Sequence, residues 1–94
     1  MVLLDVLGQR WTLRILWELR QDRCTFRALQ QRCGDVSPTL LNRRLKELRE
    51  LEIVDHEARG YGLTRSGREL GEHLMVLSAW SERWAKTLNR SERA

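Results

Sequence analysis

Residues 36–54 read VSPTLLNRRLKELRELEIV. Leucines at 41, 45, 48 and 51 recur at the spacing of one buried helix face. Ser37 is a good N-cap, and Pro38 suits the first helical position, where its missing N–H costs nothing. Val36 and Leu41 stand at the two positions of a hydrophobic staple. These signals predict a helix from Pro38 to about Glu52. Helical residues advance about 100° each, so Thr39, Asn42, Arg43 and Lys46 fall opposite the leucines. Packing accounts for the leucines and leaves that polar face open: it is either solvated or it reads something. Arg44 projects instead beside Leu40 and Leu51. There its stem can pack while its guanidinium finds a carboxylate, which would make it a brace; the competing reading is a phosphate contact.

On the N-terminal side, VLLDVL (2–7) is a short apolar helix stopped by Gly8, WTLRILWELR (11–20) is a second, and FRALQQRC (26–33) is a third, ended by Gly34. Thr25 is placed to cap the third. On the C-terminal side, IVDHEA (53–58) and YGLT (61–64) are short strand candidates around Arg59-Gly60, where the glycine permits a tight hairpin turn. Thr64 can cap a last helix from about Arg65 to Asn89. One Pro, and no repeat, linker or low-complexity tract, imply a single domain over residues 1–94. A chain of 94 residues buries roughly 60–68% of its unfolded surface, enough for a modest core without a deep catalytic cleft.

Two helices have more apolar surface than one core needs. The second buries Thr12, Ile15, Leu16 and Leu19 on one side, yet carries Leu13 and Trp17 on the other. Sandwiching by the first or last helix, a subunit interface and a ligand pocket all fit that pattern. The last helix aligns Leu70, Leu74, Leu77, Trp84 and Leu88, with Met75 and Trp80 widening the stripe. A second copy of the chain would cover it; the plainer alternative is a helix folded back over its own domain.

The balance of 17 Lys+Arg against 13 Asp+Glu gives +4, a mild hint of an anionic partner. Fifteen of the cations are Arg, whose planar fork suits phosphates and guanine edges, although a GC-rich genome gives the same bias. Cys24 and Cys33 read as free thiols of a reducing cytosol. No apolar run approaches the ~18 residues of a membrane span, and no targeting segment is visible, so the expected location is cytoplasmic. His56 and His73 are isolated, with no metal-ligand spacing, and no phosphate-binding loop or nucleophile motif occurs. Neither an enzyme nor a cofactor is expected.

A helix, a short turn and a capped helix with a polar outer face form a helix-turn-helix pattern over about 26–52. A β-ribbon over about 53–64 and a long helix over about 65–89 then give the order of a winged helix, a mainly α (α+β) fold. LDVLGQRWTLRIL (4–16), TFRAL (25–29), the stretch 36–54 and YGLTRSGREL (61–70) together resemble the HxlR-type winged-helix transcriptional regulators of bacteria. The matching pieces are Gly-x-Arg-Trp-Thr, Ser-Pro-x-x-Leu, Arg-Leu-x-x-Leu and Tyr-x-Leu-Thr-x-x-Gly. The resemblance implies a homodimer on a pseudo-palindromic double-stranded DNA operator, joined through the first and last helices (Leu3, Leu77, Trp80, Trp84, Leu88). It implies that Ser37, Pro38, Thr39, Asn42, Arg43 and Lys46 form the reading element, with Arg27 near the backbone and Arg59 at the wing tip.

Some features depart from the family. Its wings are typically longer; here almost no loop separates the strands, and Asp55 and Glu57 should offset the attraction of Arg59 for phosphate. Members often carry a Cys before the first helix, and residues 1–3 here hold none. Cys24, beside Arg23, is expected to have a slightly lowered pKa. Two other readings stay open: a winged helix used as a protein-interaction or dimerisation module, and a sensor with a small-molecule effector or thiol response near Trp17 and Cys24.

Overall fold

The computed structural model describes the backbone of residues 2–93 and the side chains of residues 2–89. Four helices come first: α1 (Val2–Leu7), α2 (Thr12–Leu19), α3 (Phe26–Arg32) and α4 (Pro38–Glu50). A two-stranded antiparallel hairpin, β1 (Val54–Glu57) and β2 (Gly60–Leu63), is followed by the long α5 (Arg65–Arg93). This is the expected winged helix-turn-helix with a short wing and a long C-terminal helix.

The core lies between α2, α3, α4 and the hairpin. Ile15, Leu16, Leu19, Leu29, Leu41, Leu45, Leu48 and Val54 are almost wholly buried. Leu70 and Leu74 of α5 pack against its edge. Val36 and Leu41 are both buried beside the α4 start, as the staple requires.

Helix α4 ends at Glu50, two residues before the expected Glu52. Glu52 itself adopts a left-handed φ of 57°, and the Ile53 N–H bonds back to the Leu48 carbonyl at 3.0 Å. That bond closes the helix in the manner usually given to glycine.

The strands pair Val54 with Leu63, Asp55 with Gly62, His56 with Tyr61 and Glu57 with Gly60, so the loop is only Ala58-Arg59. Gly60 serves more than the turn. Its φ is 113°, and a Cβ there would collide with the backbone carbonyl of Cys24. Cys24 and Tyr61 exchange backbone hydrogen bonds of 2.9 and 2.8 Å, adding a one-residue third strand to the wing. Cys24 is therefore a buried bridge residue.

The Leu-Thr-x-x-Gly exit from the wing has an equally local cause. Thr64 Oγ1 accepts from the Gly67 N–H at 3.0 Å, capping α5, and donates to the Glu52 carbonyl at 2.6 Å. A side chain on Gly67 would run into the Ile53 carbonyl. One threonine and one glycine thus fix α5 against the end of α4.

Helix α5 is roughly 44 Å long at 1.5 Å per residue and overruns the core. Beyond Leu74 its apolar side chains face outward: Met75, Val76, Leu77, Trp80, Trp84 and Leu88 are each 43–68% exposed. The helix does not fold back over its own domain to cover them.

Candidate nucleic-acid interface

The α4 start is built as expected. Ser37 Oγ accepts from the Leu40 N–H at 3.2 Å, and Pro38 opens the helix. Gln30 holds the preceding turn by donating to the Val36 carbonyl at 3.0 Å. Thr25 caps α3 through the Ala28 N–H at 3.1 Å, which leaves Arg27 exposed on the first turn of that helix.

Thr39, Asn42, Arg43 and Lys46 are all exposed. None forms a side-chain hydrogen bond or ion pair among the described residues. Arg49 and Glu50 join them on the same face, an arc of roughly 120° at 100° per residue. Arg49 lies one turn beyond Lys46, a place that the helical spacing alone gives it.

Arg44 turns the other way. Its side chain is 9% exposed; Nε donates to the Arg10 carbonyl at 3.0 Å, and Nη1 meets both Glu47 oxygens at 3.0 and 3.2 Å. The two adjacent arginines have separate jobs. Arg44 ties α4 to the α1–α2 turn, and Arg43 is left free on the opposite side.

The wing differs electrostatically from what its sequence suggests. Arg23, from the α2–α3 loop, lies across Gly62 and reaches both acidic residues of β1. Its Nη1 is 2.6 Å from Asp55 Oδ1 and its Nη2 is 3.3 Å from Glu57 Oε2. Nη1 also donates to the Gly60 carbonyl at 3.2 Å. The carboxylates are thus engaged by Arg23, and Arg59 has no acidic partner among the described residues. On the other face of the hairpin, His56 stacks on Tyr61 at 4.0 Å.

An open cleft of about 800 Å³ runs between α4 and the wing. Lys46, Arg49 and Arg65 line it together with Glu50, Glu52 and Asp55, whose carboxylate Arg23 holds, so most of its positive charge is offset. Positive charge without an offset sits instead at Arg43 and at the wing tip. Arg65 owes its place to the first turn of α5, a position no local motif marks. Arg59 does not join the α4 cleft; it lines a separate cavity on another side of the wing.

Burial raises the pKa of both thiols, outweighing at Cys24 the Arg32 guanidinium 3.1 Å from Sγ and at Cys33 the charge of Arg14. The expected lowering at Cys24 is therefore reversed. The arginine that meets it is Arg32, whereas the sequence neighbour Arg23 is occupied by the wing. Among the described residues no group of three or more His, Cys, Asp or Glu is arranged to hold a metal, and no helix is long and apolar enough to cross a membrane.

Comparison with known proteins places this architecture. The profile of the HxlR-like helix-turn-helix family matches residues 6–89. An uncharacterised HTH-type transcriptional regulator of Mycobacterium tuberculosis is 35% identical over 88 residues, covering 86% of this chain and 55% of its own length. Another, of Methanocaldococcus jannaschii, is 29% identical over 84 residues, covering 84% of this chain and 78% of its own. The chain thus spans about half the length of the first of these relatives. Among solved structures, quinone-bound YodB from B. subtilis superposes with a TM-score of 0.80 at 30% identity, covering 86% of this chain and 92% of that one. A possible HxlR family transcriptional factor from Thermoplasma volcanium gives 0.79 at 26% identity, covering 89% and 82%.

Proposed function

The chain belongs to the HxlR-like helix-turn-helix family of transcriptional regulators, and from that membership we propose that it acts in the cytoplasm as a homodimer reading a specific, pseudo-palindromic stretch of double-stranded DNA. Helix α4 enters the major groove. Asn42 pairs with an adenine edge and Arg43 with a guanine edge, while Thr39 and Lys46 contact neighbouring bases or phosphates. The capped N-terminus at Ser37-Pro38 docks on a phosphate through its free N–H groups and helix dipole. Arg27 and Arg59 add backbone contacts that position the helix without reading sequence.

The observation that carries this reading is the contrast on α4. Four polar side chains point outward and unpaired, on a helix whose back is fixed by three buried leucines and by the Arg44 bonds to Arg10 and Glu47. The exposed stripe of Leu77, Trp80, Trp84 and Leu88 supports dimerisation, with Leu3 of α1 joining it in the pairing; Trp80 and Trp84 stack at 5.7 Å. The two α4 helices then meet successive major grooves about 34–36 Å apart, with the wings near the minor groove.

Competition binding to a library of promoter fragments at moderate salt tests the proposal. A subset of fragments retained against excess random duplex is expected. Uniform, salt-sensitive binding to all fragments would favour the alternative of a winged helix used for protein interaction.

One observation supports an added response to small aromatic molecules. Leu13, Trp17, Leu74, Leu77, Ser78 and Ser81 line an apolar groove of about 330 Å³ between α2 and α5, and the B. subtilis YodB structure holds a quinone. Any such ligand here would bind non-covalently, because both cysteines are buried with raised pKa. Trp17 emission on titration with a quinone reports it, and an unchanged spectrum counts against it.

A further inference from the structure

A second basic site lies away from the α4 face. A cavity of about 450 Å³ is lined by Arg20, Asp22, Arg23, Arg59, Gly62 and Arg68, among others, and shares no lining residue with the cleft beside α4. Its arginines come from the end of α2, the loop after it, the hairpin turn and the first turn of α5. Like charges brought together from such distant parts of a chain repel unless something negative lies among them. Arg23 has Asp55 and Glu57. Arg20, Arg59 and Arg68 have no carboxylate partner among the described residues, and Asp22 is the one carboxylate in the lining.

Two of these three are already held in orientation. Arg20 donates Nη1–H to the Trp17 carbonyl at 3.0 Å and lies over the Trp17 ring, 3.9 Å from its centre. Arg68 donates Nη1–H to the Leu63 carbonyl at 3.2 Å. Each bond uses one of five N–H donors, so the remaining edges of both forks stay available while their direction is set. Pre-placed planar forks suit the paired oxygens of a phosphoryl group. The volume falls within the roughly 300–1,000 Å³ of small-molecule sites.

We infer that this cavity binds a phosphoryl oxyanion through Arg20, Arg59 and Arg68. The phosphoryl group has two sources: a free phosphorylated small molecule acting as an effector, or a backbone phosphate of the bound duplex delivered to the wing. The second rests on the DNA-reading proposal above; the first does not.

Two measurements on the full chain separate them. In calorimetry with inorganic pyrophosphate at low salt and without DNA, saturable binding at one site per chain is expected. Arg68→Gln and, independently, Arg59→Gln should each weaken it at least about tenfold, the loss of a charge-assisted bond. Both positions are exposed, so folding is not at stake. Arg49→Gln, in the other cleft, should leave it unchanged. In titrations with duplex at varied salt, a DNA source lowers the log–log salt slope by about one for each of the two variants. A free effector leaves the slope of Arg68→Gln as it is while pyrophosphate binding is lost; Arg59→Gln moves the slope in either case, through the backbone contact proposed above. The inference is overturned if pyrophosphate does not bind and Arg68→Gln does not move the slope. It is equally overturned if Arg49→Gln weakens pyrophosphate as much as Arg68→Gln, since that marks diffuse attraction to a basic surface.

Discussion

Replacing Arg43 and Arg44 singly by Ala should damage two different properties of the protein, although the residues are neighbours. Arg44 is 8% exposed and makes three bonds: one to the Arg10 carbonyl and two to Glu47. Hydrogen bonds to charged groups contribute about 1.5–3 kcal/mol each. Glu47 is 32% exposed and regains water when its partner goes, so most of the loss comes from the stranded Arg10 carbonyl and the lost packing of the stem. Together these amount to about 2 kcal/mol of stability. For a domain of this size that is a fall of roughly 8–16 °C in Tm. Urea unfolding followed by circular dichroism, at fixed protein concentration because dimerisation adds to stability, gives the value as a lower midpoint with unchanged slope. Arg43→Ala should change stability by no more than about 0.5 kcal/mol. It should instead cost about 1–3 kcal/mol on the specific DNA site, or about 5–150-fold in affinity, with relaxed preference at one base pair. Below its melting range, Arg44→Ala should bind DNA within about twofold of the parent. A stable Arg44→Ala that fails on DNA, or an Arg43→Ala that unfolds easily, would refute the division of labour. An Arg43→Ala that loses equally on random DNA would demote Arg43 to a phosphate contact.

Other perturbations probe the remaining parts. Trp80→Arg with Trp84→Arg puts two charges on the exposed α5 stripe; sedimentation should show a shift to monomer, and specific DNA binding should disappear with it. An unchanged mass excludes this interface. Gly67→Val forces a side chain against the Ile53 carbonyl and should cost about 1–3 kcal/mol in urea unfolding, as overpacking does; a neutral result would show that the α5 start can shift freely. Because the raised pKa of Cys24 and Cys33 belongs to the folded state, their contribution to stability is intact below the ordinary thiol value of about 8.5 and falls as pH rises through the higher folded values. Unfolding midpoints should therefore drop above about pH 8.5, and a Cys24→Ala, Cys33→Ala variant should show a shallower drop.

What the sequence revealed depended on how far apart the interacting residues lie along the chain. The α4 start was legible because cap, proline and staple all fall within Val36–Leu41. The outward face was legible from helical spacing alone, and so was the inward turn of Arg44, whose carboxylate partner is three residues away. The α4 end was not, because Glu52 takes a backbone shape that no residue type there announces. The wing looked acidic because its neutralising arginine sits at position 23, more than 30 residues upstream. Cys24 was assigned the wrong cation for the same reason: Arg23 is adjacent in sequence, but Arg32, at the far end of α3, is adjacent in space. The arginine cavity was not legible because Arg20 and Arg23 meet Arg59 and Arg68 only in the fold.

The central claim is that α4 reads bases, and selection of bound duplexes from a random pool at about physiological salt tests it most directly. The account predicts enrichment of an inverted repeat with half-sites about one helical turn apart, and a parallel selection with Arg43→Ala that loses preference at one position in each half-site. A pool that stays random through successive rounds, or an enriched sequence that Arg43→Ala leaves unchanged, would contradict it.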